Sequence, residues 1–344
     1  MPLPTDPMSR AEELLREGRY HDLSGRPAEA MECYAAIIDL TAAEGDRRAR
    51  AEALRRLGVL HHLRAEPEIA GELCRMSLDL AAETGADDLV AEAGNALAGF
   101  ALERGDLAEA EQRYRQALEL VGADGTLIGK IEQNLGIIAN IRGDWQEALR
   151  HYGCALHAYT ADGDRRGCAM AHHNLGMVHA DRQQWGEAYS HYQISQQLAE
   201  EVGDRHLVGI ALMNRAEVRL ARGEYEAARS GAEEALRIFN DVEARRDKAG
   251  AHRLLGMICR QRSQMALAES HLRSALEIAT SARCPLTEAD AARELATLYQ
   301  AQGRQDAALE LLRRARERYD QLEARPDLSQ VEEQLVTISG GIDA

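Results

Sequence analysis

The sequence predicts an all-α solenoid of about eight helix pairs, and three observations predict it. One alanine, in a segment resembling G-D-x-x-E-A, recurs as Ala30, Ala70, Ala110, Ala148, Ala188, Ala228, Ala268 and Ala308, at intervals of 40 residues with a single interval of 38. Apolar residues make up 45% of the 344, yet aromatics only 4%. Small residues with few aromatics suit closely packed helices better than a β-sandwich, whose strands draw on branched and aromatic side chains. Glycine turns recur between the amphipathic stretches.

Each unit reads as two helices. Twelve residues before the alanine stands a small residue (Gly18, Gly58, Ala98, Gly136, Gly176, Ala216, Gly256, Ala296), usually preceded by leucine, as at Leu57, Leu97, Leu135, Leu175, Leu255 and Leu295. These mark the first helix, and the small residue lets its partner approach closely. A turn such as "ERGD" (103–106), "RGD" (142–144), "ARGE" (221–224) or "AQGR" (301–304) follows, with glycine as the C-cap. The second helix, for example "WQEALRHYGCAL" (145–156), carries an aromatic four residues after the alanine, at Tyr34, Tyr114, Tyr152 and Tyr192. That ring is expected to fill the gap between units. The unit closes near "AEGD" (43–46), "ADGD" (161–164) or "EVGD" (201–204), a glycine followed by an N-cap aspartate. The units run approximately 8–46, 47–86, 87–125, 126–164, 165–204, 205–244, 245–284 and 285–324, one domain over 8–324. Within 325–344, Leu328, Val331, Leu335 and Ile338 form one helical stripe behind a capping-box match at Ser329 and Glu332, read as a terminal capping helix; "SGGIDA" is its tail. One unit cannot bury its apolar face alone, and stacking makes a continuous core.

The leucine–glycine, alanine and tyrosine columns resemble the tetratricopeptide repeat, over roughly residues 8–324. The tryptophan site of that repeat instead holds Leu14, Leu54, Glu132, His172, Leu212 and His252, its closing proline is missing, and the period is 40 rather than 34. The longer period is similar to that of the Pins/LGN scaffolds, kinesin light chains and bacterial peptide-pheromone receptors. The resemblance implies a right-handed superhelix with a concave groove that holds a protein or an extended peptide.

Composition narrows the function. A formal charge of −16 repels nucleic acid and anionic membrane, so neither is an expected partner. Of 41 basic residues only Lys130 and Lys248 are lysines, a bias that weakens any single arginine as a signal. The six cysteines lie far apart and read as reduced, core-filling thiols. No secretion signal or membrane span is read, and a cytoplasmic location is expected.

No catalytic residue, metal site or cofactor is assigned. "AHHNLGMVH" (171–179) holds three histidines, but His172 and His179 are seven residues apart, about 10 Å along a helix. Zinc-binding pairs on helices favour a spacing of i, i+4. His21, His61 and His179 share one repeat column, His151, His191 and His271 another, and His172 and His252 a third, which marks them as packing positions. "GTLIGK" (125–130) is one residue short of a phosphate loop, with Ile131 where Ser or Thr must follow. The acid pairs Glu200/Glu201 and Glu233/Glu234 fall on polar helix faces.

The first helices offer a better candidate. Their uncovered stripe reads Lys130, Gln133, Asn134 and Ile137, then Met170, His173, Asn174 and Met177, then Ile210, Met213, Asn214 and Glu217. The resemblance implies that Asn134, Asn174 and Asn214 grip the backbone of an extended peptide. An amide supplies both donor and acceptor, and the methionines beside it give adaptable apolar contact; the alternative is that these amides bridge neighbouring helices. Flanking groove positions hold Arg16, Arg19, Arg55 and Arg56 at one end and Arg253 and Arg293 at the other, mixed with Glu12, Glu52, Glu92, Asp290 and Glu294. Arginine's bidentate reach to carboxylates gives a weak preference for an acidic partner. The expected function is a binding scaffold for a partner protein or peptide. The alternative is a peptide-sensing regulator that changes conformation, and an enzyme is a distant third. The sequence leaves the oligomeric state open.

Overall fold

The computed structural model describes residues 7–42 and 46–340, with side chains from residue 10 to 338. The expected "AEGD" turn apart from Asp46, and residues 341–344 of the tail, lie outside the described residues. Among the described residues there are seventeen helices and no strand. The chain divides into two compact units, Met1–Asn134 and Leu135–Ala344.

The first unit contains α1 (Pro7–Leu23), α2 (Pro27–Leu40), α3 (Arg47–Leu63), α4 (Pro67–Thr84), α5 (Asp87–Arg104), α6 (Leu107–Leu120) and the start of α7 (Gly125–Ile141). The division falls within α7. The second unit continues through α8 (Trp145–Ala161), α9 (Arg165–Asp181), α10 (Trp185–Glu201), α11 (Arg205–Ala221), α12 (Tyr225–Asp241), α13 (Arg245–Gln261), α14 (Met265–Ser281), α15 (Pro285–Ala301), α16 (Gln305–Gln321) and α17 (Arg325–Gly340).

The helix ends follow from local chemistry. Asp46, Asp106, Asp164 and Asp204 accept backbone N–H bonds at the starts of α3, α6, α9 and α11, meeting donors the helix leaves open. Asp144 makes no such side-chain bond at α8. The turns need one residue at positive φ, a conformation that costs L-residues with a Cβ about 1–2 kcal/mol. Glycine supplies it at Gly105, Gly143, Gly163, Gly203, Gly223 and Gly303, while Ala65, Gln183, Glu243, Ser263, Arg283 and Glu323 adopt it at equivalent turns.

Within a pair the glycine column admits a ring or thiol. A Cβ on Gly136 would lie 2.6 Å from the Tyr152 ring and one on Gly176 2.6 Å from the Tyr192 ring; Cys74 occupies the same place over Gly58. The ring also meets the next pair, since Tyr152 clusters with Leu175 and Val178, and Tyr192 with Val218. Successive helices pack on one another from α1 to α6 in the first unit and from α8 to α17 in the second. First helices of neighbouring pairs also touch, α1 on α3 and α3 on α5 in the first unit, α9 on α11, α11 on α13 and α13 on α15 in the second. The first helices therefore take the inner side of each unit's curve.

The capping helix is present, with Val331 and Ile338 buried against the last pair. Its start corrects the sequence reading. The helix begins at Arg325, four residues before the expected cap, and Ser329 Oγ donates to the Arg325 carbonyl at 3.0 Å inside the helix rather than capping it. Four cysteines are buried, but Cys154 is exposed and Cys168 half-buried, so not all fill the core.

Candidate functional site

In the second unit the period arranges three inner helices into a grid. α9 contributes His173, Met177 and Asp181, α11 Met213, Glu217 and Ala221, and α13 Arg253, Met257 and Gln261. Positions four apart lie on one helix face. Corresponding positions on successive helices are one 40-residue period apart. These nine line a cavity of about 940 Å³, with Trp185, Tyr192, Ile210 and Asn214 in its walls. Three methionines facing one space give an apolar surface that repacks around different shapes.

The polar groups are mostly satisfied by one another. Arg253 bonds Glu217 at 3.1 Å, and Arg293 on α15 bonds Asp327 at 3.1 Å and Gln330 at 2.7 Å. Burial alone would lower the Arg253 pKa, but Glu217, Asp290 and Glu294 hold it above its ordinary value. Asp181 is exposed on the wall of the cavity, and Asn140 Nδ2 donates to it at 3.2 Å. Loss of surrounding water pushes its carboxyl up to about 6; the Asn140 bond opposes this, and the charges of Asp327, Glu217 and Asp290 add to it. The Asp181 carboxylate has no cation within ion-pair distance among the described residues. His173 Nδ1 accepts from Asn214 Nδ2 at 3.2 Å, which leaves the ring proton on Nε2. Burial pushes its pKa down to about 4, so the ring is neutral at pH 7.

Of the residues singled out in the sequence, His173, Met177, Met213, Asn214 and Arg253 line the cavity. Arg293 stands one period beyond Arg253. Asn174 is buried outside the lining, and Asn214 donates one of its two amide N–H groups to His173, a bridge between neighbouring inner helices. Lys130, Gln133, Asn134, Arg55 and Arg56 belong to the first unit. There Lys130 is exposed, Gln133 is buried with an unpartnered Oε1, and Asn134 lies beside the Tyr114 hydroxyl. Arg55 bonds Glu92 at 2.5 Å, and Arg56 bonds Glu52 at 2.7 Å. Arg19 likewise bonds Glu52 at 2.6 Å, and with these five arginines paired internally Arg16, bonded to the Glu12 carbonyl, is what remains of the basis for preferring an acidic partner.

Sequence reasoning missed Asp181, Trp185, Met257 and Gln261. Three of them were readable: Asp181 and Gln261 extend the groove stripe by one helical turn, and Met257 repeats Met177 two periods on.

Residues 125–130, the phosphate-loop look-alike, are helical from Gly125. His172 and His179 both meet a third histidine, His191: His172 Nδ1 lies 3.0 Å from His191 Nδ1, and the His179 ring stacks on it at 5.3 Å. Among the described residues, the trio with metal-type ligand atoms within 4.8 Å of one another is Glu17, His21 and Cys33 in the first unit. No helix among the described residues is long and apolar enough to cross a membrane.

A family model described as Tetratricopeptide repeat matches residues 89–161, 167–241 and 247–321. No curated protein sequence matches the chain. Among solved structures, a Rap protein complexed with Competence and Sporulation Factor superposes with a TM-score of 0.65 at 13% identity, covering 97% of this chain and 98% of that one. A signal transduction ATPase with a tetratricopeptide repeat sensor, from Pyrococcus horikoshii, gives 0.63 at 14% identity, covering 99% of this chain and 55% of that one. Aspartyl phosphate phosphatase F from Bacillus subtilis gives 0.53 at 14% identity, covering 97% and 95%. At such identities the likeness is one of fold.

Proposed function

Because the chain belongs to the tetratricopeptide repeat family, whose stacked helix pairs form binding scaffolds, we propose that it holds an extended segment of a partner protein or a peptide in the inner cavity of its second unit. The observation that carries this reading is the three-by-three grid of period-related residues around about 940 Å³ of open space. Its chemistry suits an apolar side chain set among the methionines beside a cationic group facing Asp181. At Asp181 the preference is thus for a basic rather than an acidic group. The function proposed for the family's fold here is binding. The Rap protein seen complexed with Competence and Sporulation Factor supports the capacity of this fold to hold a ligand.

A second reading, a peptide-sensing regulator that changes curvature on binding, is favoured by a contact that closes the second unit on itself. Ile141 packs against the cluster formed by the last helices, and a Cβ on Gly143 would lie 2.9 Å from Pro326. A ligand that alters the spacing of α9, α11 and α13 would load that contact.

Selection from a displayed random-hexapeptide library tests the binding reading. Enriched peptides should combine apolar and basic residues and bind Ala221→Trp, which fills the cavity, at least tenfold more weakly. Equal binding to that variant, with its helical circular dichroism intact, would place the site elsewhere.

A further inference from the structure

In the second unit three arginines gather on one tyrosine. Arg215 and Arg219 of α11 both donate to the hydroxyl of Tyr189 on α10, at 2.6 and 3.1 Å. The guanidinium carbons of Arg215, Arg219 and Arg222 stand 4.8, 5.7 and 5.3 Å from the centre of the Tyr189 ring. Arg222 also donates to the Trp185 carbonyl at 2.9 Å, and Arg215 to the Gln196 side chain. None of the three arginines has a carboxylate within ion-pair distance among the described residues.

Two facts make this cluster unusual in this molecule. The chain carries a formal charge of −16, and arginines elsewhere in it are widely paired with acids, as Arg205 is with Asp241 and Arg253 with Glu217. Three such cations on one ring therefore stand out, since their mutual repulsion is offset by a π face and by neutral oxygens (the Tyr189 hydroxyl, the Trp185 carbonyl and the Gln196 amide) rather than by a carboxylate. The second fact is Arg215 itself. It occupies the column that holds leucine at Leu57, Leu97, Leu135, Leu175, Leu255 and Leu295. A packing position has been given to a cation, and its Nε is buried without a partner.

We propose that Arg215, Arg219 and Arg222, with the Tyr189 hydroxyl, form a binding site for a phosphoryl group. A tetrahedral dianion matches three guanidinium forks in charge and in acceptor number better than a single carboxylate does. Free phosphate compounds and phosphorylated side chains of a protein share this chemistry. Arg222 also lines the cavity, but Arg215, Arg219 and Tyr189 stand outside its lining, so the site does not rest on the cavity reading.

Two probes at low ionic strength test it: inorganic phosphate, followed by 31P line broadening, and a short phosphoserine peptide against its unphosphorylated form, followed by calorimetry. The expected result is saturable binding of at least one phosphorylated probe, weakened tenfold or more in Arg215→Leu and in Arg219→Gln, and unchanged in Arg229→Gln, a surface arginine paired with Glu233. Tighter binding of the phosphopeptide than of phosphate assigns the group to a protein partner, and the reverse assigns it to a small molecule. Arg215→Leu restores the leucine column and should fold at least as stably as the parent; should it not, Arg219→Gln carries the comparison. Failure of both probes to bind, or equal binding by Arg219→Gln, overturns the proposal.

Discussion

Arg142, in the turn after α7, donates from Nε to Glu323, in the turn after α16, across 3.3 Å and 181 residues of sequence. The second unit thus meets itself after four and a half periods. The ion pair is half-exposed and worth under about 1 kcal/mol. The apolar contacts of Ile141 beside it carry more of the closure. Glu323→Arg should therefore leave the thermal midpoint nearly unchanged. Ile141→Asp should enlarge the radius of gyration in solution scattering and speed amide exchange in α17. An unchanged scattering profile for Ile141→Asp would show that the closure holds without it.

The glycine column predicts a stability effect. Gly176→Ala would set a methyl against the buried Tyr192 ring, which has no room to withdraw, at a cost of about 1–3 kcal/mol. Gly186→Ala, with open space at its Cβ, should be close to neutral. Urea unfolding of the two variants separates them.

The turns predict the opposite sign. Ala65 sits at φ 61°, where equivalent turns use glycine. Ala65→Gly should relieve about 1 kcal/mol of backbone strain, less the entropy glycine adds to the unfolded chain. A midpoint that falls instead would mean that unfolded-chain entropy outweighs the strain.

Much of this architecture is legible in the sequence because a 40-residue period repeats its constraints. Gly136, Gly176 and Gly256 occur where a ring or leucine must enter, and Asp46, Asp164 and Asp204 where helices begin. The site is less legible. The asparagine column draws attention by its recurrence, yet cavity lining depends on helix rotation. A difference of one residue, 100° around the axis, separates lining His173 from buried Asn174. Pairing is invisible for the same reason. Arg253 reads as a free cation until Glu217, 36 residues away, is seen beside it. The start of α17 is not legible because Ser329 and Glu332 fit a capping pattern, whereas the helix begins four residues earlier at Arg325.

Acid should weaken the second unit. Burial holds His173 and His191 at about 4 in the folded chain, with the charges of His172 and His179 further lowering His191. Both take up protons first in the unfolded state, so their contribution is full above pH 6.5 and is lost as pH falls towards 4. Asp181 works against this: its raised value, about 6, favours the folded state at low pH. Thermal midpoints should fall between pH 6.5 and 4.5, and more steeply in Asp181→Asn. A shallower fall in that variant would contradict the assignment.

The central claim is that the grid in the second unit receives a peptide, and methyl spectroscopy tests it most directly. The chain has nine methionines. Met177, Met213 and Met257 line the cavity, whereas Met31 and Met76 lie in the first unit. With 13C-methyl methionine and a peptide enriched in the hexapeptide selection, saturable shifts of the three cavity methyls are expected and none at Met31 or Met76. Shifts at Met31 or Met76 with the cavity methyls unmoved would contradict it.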